Sequence, residues 1–72
     1  MPDKTYTTVD VVGVSEESVT QAVRNAMTKA GQTLRNIGWF EVKNIRGVQE
    51  KGVLVFQVEV KIGFRLEGTA AR

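Results

Sequence analysis

The sequence predicts an α+β domain in the order β-α-β-β: a three-stranded antiparallel sheet, strand order 1-3-2, with one amphipathic helix packed on one face. Three observations carry this. Residues 53–66, "VLVFQVEVKIGFRL", alternate strictly, with Leu54, Phe56, Val58, Val60, Ile62, Phe64 and Leu66 on one side. That is the period of a strand with one buried face. Upstream, Val19, Ala22, Val23, Ala26, Met27, Ala30, Leu34 and Ile37 recur at steps of three and four, which is one stripe of a helix. The whole chain has 72 residues, enough for one domain.

Each element follows from its own residues. Residues 5–13, "TYTTVDVVG", are β-branched and aromatic and end in glycine, so they read as the first strand. Ser15 then offers an N-cap, with Glu16 and Glu17 placed in the first helical turn. The helix is expected over residues 16–35, closed by Asn36 and Gly38, and its alanines make a narrow stripe that lets it lie close to the sheet. The second strand covers residues 39–49, and "EKG" at residues 50–52 is a turn. The third strand, the longest alternating run, belongs between the other two. This is a split βαβ arrangement. The tail at residues 67–72, "EGTAAR", is expected to fray.

Composition removes several functions. The sequence has no cysteine and no histidine, which excludes disulfides, zinc sites and Ser-His or Cys-His catalysis. The net charge of +2 is mixed along the chain, with no basic block of the kind a nucleic-acid backbone needs. No apolar run approaches the ~20 residues of a membrane span. "MPDKTYTT" is too polar for a signal peptide, so the expected location is cytoplasmic. A domain this small buries only ~60% of its unfolded surface, so self-association is the expected source of robustness.

Residues 36–45, "NIGWFEVKNI", pose the functional question, because Trp39 and Phe40 are neighbours in a strand and must face opposite sides. A turn centred on Lys51 places Phe40 near Ile62 and Val42 near Val60, as core pairs under the helix. The same register faces Glu41 with Lys61 and Lys43 with Glu59, two opposite-charge pairs worth ~0.2–1 kcal/mol each. The apolar pattern changes parity between Val42 and Ile45, which marks a bulge near Asn44. Phe40 is therefore the core ring, and Trp39 stands on the polar face opposite Gly63, where a flat partner has room beside the indole. Trp39 can shield Gly63, anchor a protein interface, or stack a planar ligand. Gln57, in mid-strand among apolar neighbours, carries a donor and an acceptor that suit a heterocycle edge and equally suit solvent or an interface. Arg46 and Arg65 are candidates for a phosphate. Val53, Val55, Ile45 and Val48 add apolar surface outside the helix-covered core.

Across residues 4–68 the sequence resembles the dodecins, small flavin-binding proteins that assemble into a hollow dodecamer. "GVSEESVTQAVRNAM", "NIGWFEV" and "FQVEVKIGFRLEG" carry the resemblance. It implies that Trp39 stacks on an isoalloxazine ring, that two flavins pair between two such tryptophans of different subunits, and that Gln57 hydrogen-bonds the pyrimidine edge. It also implies FMN or riboflavin as ligand, with Arg46 and Arg65 as in bacterial members, coenzyme A as a second ligand, and storage or light protection in place of turnover. One competing expectation is an N-terminal-proline tautomerase with Pro2 as general base; polar residues directly after Pro2 weigh against it. Another is a coenzyme-binding or oligomeric interaction module. A single-strand nucleic-acid face would need more aromatics than Trp39.

Overall fold

Strand β1 (Tyr6–Ser15), helix α1 (Val19–Gly31), strand β2 (Ile37–Glu50) and strand β3 (Val53–Arg65) follow one another in the computed structural model, which describes residues 4–66. The sheet is antiparallel throughout in the order β1-β3-β2, as the alternation of β3 requires. The expected fraying of residues 67–72 and the Pro2 tautomerase site lie outside the described residues.

The helix lies over β1 and β3. Its buried residues are Ala22, Ala26 and Ala30, at spacings of four, and they close on Val58, Val60 and Ile62 of the central strand. The close approach depends on Gly13: a Cβ there would overlap the backbone carbonyl of Ala22 and stand 2.9 Å from the Ala26 methyl. Small residues on both sides bring helix backbone against sheet backbone.

The helix is shorter than its apolar periodicity. Ser18, not Ser15, is the N-cap, its hydroxyl accepting from the Gln21 N–H at 2.9 Å. Ser15 is still in the sheet, opposite Phe56, and its hydroxyl accepts from the Glu17 N–H at 2.9 Å to shape the turn before the helix. Glu16 and Glu17 thus precede the first turn. The helix stops at Gly31, a weak helix former, where the Thr33 and Leu34 N–H groups both reach back to the Ala30 carbonyl. Leu34 and Ile37 keep their place against the core from outside the helix. Asn36 takes a left-handed conformation, φ 62°, just before β2.

The hairpin turns on two residues, Lys51 and Gly52, both at positive φ, the signature of a type I′ turn. Phe40 faces Ile62, Glu41 faces Lys61 and Val42 faces Val60 as expected, but Lys43 is an inserted residue and Asn44, not Lys43, faces Glu59. A bulge adds one residue to one strand and exchanges the faces beyond it. Ile45 consequently joins the helix side, opposite Val58, and Arg46 the bare side, opposite Gln57.

Phe40 is not a core ring within the chain. It lies on the helix side of the sheet but stays 49% exposed, because α1 covers β1 and β3 and stops short of β2. The core holds no residue of β2 among its fully buried members. The chain is extended, with a radius of gyration of 15.1 Å, against about 11 Å for a compact chain of this length.

Candidate functional site

The sheet face opposite the helix carries all four candidate residues. Pairing across the three strands sets the rows: Thr8, Gly63 and Trp39; Asp10, Lys61 and Glu41; Val12, Glu59 and Asn44; Val14, Gln57 and Arg46. Arg65 shares this face, opposite Tyr6.

Trp39 comes from the outer strand β2 and lays its indole over the central strand. A Cβ on Gly63 would overlap the six-membered ring, so the missing side chain is what lets the indole lie down on the backbone. The space expected to stay vacant beside Gly63 is filled by the indole itself. Tyr6 of β1 completes the arrangement: its ring centroid is 5.2 Å from that of Trp39 at an interplanar angle of 55°, a tilted contact. Gly38 makes room for it, since a Cβ there would stand 3.1 Å from Tyr6 Cε2. Trp39 nevertheless remains 42% exposed. Its inner face rests on Gly63 with Tyr6 packed beside it at a tilt, and the exposed part of the indole is available to a planar partner.

Tyr6 was legible in the sequence only as a strand former. Its place beside Trp39 follows from the pairing of Tyr6 with Arg65 across β1 and β3, a contact that no local pattern reveals. Tyr6, Asn36, Ile37, Gly38 and Arg65 line an open hollow of about 230 Å³ at this end of the sheet. Arg65 thus sits at the tryptophan end.

Gln57 and Arg46 meet at the other end. The Arg46 Nε–H donates to Gln57 Oε1 at 3.0 Å. Gln57 stands six steps before Gly63 along β3, roughly 20 Å at ~3.3 Å per residue. The four candidates therefore divide into Trp39 with Arg65 and Gln57 with Arg46. One flat ring cannot touch both groups within a single chain.

Another hollow, of about 460 Å³, lies along the outer edge of β1 beneath α1, lined by Val9, Val11, Ala26, Lys29, Ala30 and Leu34 among others. Among the described residues no cluster of three or more acidic, histidine or cysteine side chains could hold a metal ion. No helix among them is long and apolar enough to cross a membrane.

Comparison with known proteins gives one consistent result. The Dodecin family model matches residues 5–67. The dodecin of Thermus thermophilus is 49% identical over 67 residues, 92% of this chain and 97% of that protein. The structure of the Streptomyces coelicolor dodecin is 51% identical and superposes with a TM-score of 0.88, over 96% of this chain and all of that one. A tryptophan-to-phenylalanine variant of the T. thermophilus dodecin superposes at 0.85 with 46% identity, over 92% of this chain and all of that one. Two arginine-to-alanine variants of that protein have the same fold. A calcium dodecin from Mycobacterium tuberculosis, at 19% identity and a TM-score of 0.80, shares the fold alone. With a family model spanning nearly all of the described residues and relatives at half identity over their full length, this chain belongs to the dodecin family.

Proposed function

We propose that the protein binds flavin, FMN or riboflavin, without turning it over, and that it stores the ligand in the cytoplasm and quenches its photochemistry. The observation that supports this most is the posture of Trp39. The indole is held by Gly63 and Tyr6 with part of it exposed, which is the arrangement a stacked tricyclic ring needs. An electron-rich indole against an excited flavin gives rapid electron-transfer quenching, so a flavin held there cannot sensitise oxygen damage.

The division of the site implies how it is completed. Trp39 of one chain and Gln57 of another would serve the same ring, so ligand binding and assembly are coupled. The bare apolar row of β2 supplies the contact surface for such an assembly, a dodecamer in this proposal. Stacking paired flavins between two tryptophans removes apolar area from water at ~25 cal/mol per Å².

The test is a fluorescence titration of flavin-stripped protein with FMN and riboflavin, alongside Trp39→Ala, with coenzyme A added as a competing ligand. Flavin and tryptophan emission should fall together at a fixed stoichiometry in the wild type, and the variant should lose the effect. Unchanged emission of both would reject flavin binding and leave Trp39 as an interface anchor.

A further inference from the structure

The pairing of Arg46 with Gln57 says more than proximity. A guanidinium has five N–H donors and no acceptor. Only the carbonyl oxygen of an amide can face it, so the Arg46 Nε–H at 3.0 Å from Oε1 fixes which way the Gln57 amide is turned. The Gln57 Nε2 then points away from Arg46. The oxygen keeps a second lone pair for another donor.

We propose that Arg46 is a positioning residue that acts through Gln57, presenting the amide NH2 to a carbonyl acceptor of a ring edge, and is not a phosphate ligand. This rests on the flavin-binding proposal. Three observations support it. Arg46 is the direct cross-strand neighbour of Gln57, put there by the inserted Lys43. The hydrogen bond uses Nε, the least mobile of the three guanidinium nitrogens. Arg65, the other candidate for a phosphate, stands at the far end of the sheet with Tyr6, so the two arginines of one chain do not form one anion clamp. The ligand class that fits this end is a planar heterocycle with adjacent carbonyl and N–H groups, whose recognition depends on which half of the amide meets which atom.

The experiment compares FMN with riboflavin, which has the same ring and no phosphate, on the assembled protein and on Arg46→Met. Loss of an orienting hydrogen bond should weaken both ligands by about tenfold. In a Gln57→Leu background, adding Arg46→Met should weaken riboflavin no further, because the residue it acts through is gone. If Arg46→Met weakens FMN and leaves riboflavin unchanged, Arg46 is a phosphate ligand and the positioning role is wrong, while flavin binding stands. A second readout needs no ligand: the Arg46 Nε–H resonance should exchange with water slowly in the wild type and fast in Gln57→Leu. If that bond is present and the wild type binds neither flavin, the flavin proposal fails, and the role of Arg46 toward a ligand fails with it.

Discussion

Val58, Val60 and Ile62 on β3 are fully buried, while the residues facing them across β2, Ile45, Val42 and Phe40, are 52%, 40% and 49% exposed. The two rows share one side of one sheet and one chemistry. They differ only in what lies above them, since the helix covers the central strand and β1 and leaves β2 open. An alternating pattern therefore establishes that a row is meant for burial, and says nothing of which chain buries it. The β1–α1–β3 unit finds its cover within the chain. The outer half of β2 looks for it outside, as a contiguous exposed apolar patch does.

Substitutions in each half sharpen that contrast. The largest effect is expected inside the closed unit, from Gly13→Val. Its side chain would occupy the space of the Ala22 carbonyl and the Ala26 methyl, and overpacking of backbone against backbone should cost about 3 kcal/mol or more. Urea denaturation followed by circular dichroism measures this, and an unchanged midpoint would refute the close helix–sheet contact. Phe40→Asp should cost about 2 kcal/mol per chain, all of it through assembly. Sedimentation velocity should show smaller species while the circular dichroism of the helix persists. An intact large assembly would show that the β2 row is not an interface. The smallest effect belongs to Gly63→Ala, whose methyl would push the indole off the sheet at about 1 kcal/mol. Under the flavin-binding proposal its larger signature is optical: bound flavin should regain emission, which an intact stack would not permit.

Much of the fold was readable because it is written in short-range periodicity. The alternation of β3, the alanine stripe of α1 and the glycine turn each state their own secondary structure. Errors arose where two local signals compete. Ser15 and Ser18 are both competent caps three residues apart, and only the sheet pairing of Ser15 decides between them. The stripe runs on through Leu34 and Ile37, since a chain leaving the helix can still aim apolar side chains at the same core. The site was legible in parts. Trp39 opposite Gly63 followed from the hairpin register, whereas the Tyr6 contact required a pairing that joins residues far apart in sequence. The expected Lys43–Glu59 pair failed because the bulge, expected near Asn44, falls one residue earlier, on Lys43.

That inserted Lys43 bears on how relatives of this chain are aligned. With Glu50 and Val53 closing the hairpin and Ile37 set opposite Phe64, the two ends of β2 are pinned. Between them, Trp39 and Arg46 stand seven positions apart on β2 but face Gly63 and Gln57, six positions apart on β3. Deleting the Lys43 codon would make the two strands equal in count, straighten the ladder and leave every other side chain on its present surface. A one-residue gap at this point is then a loss of local twist, not a change of chemistry. Residues on either side of such a gap should be compared face by face, with Trp39 and Arg46 kept in their rows.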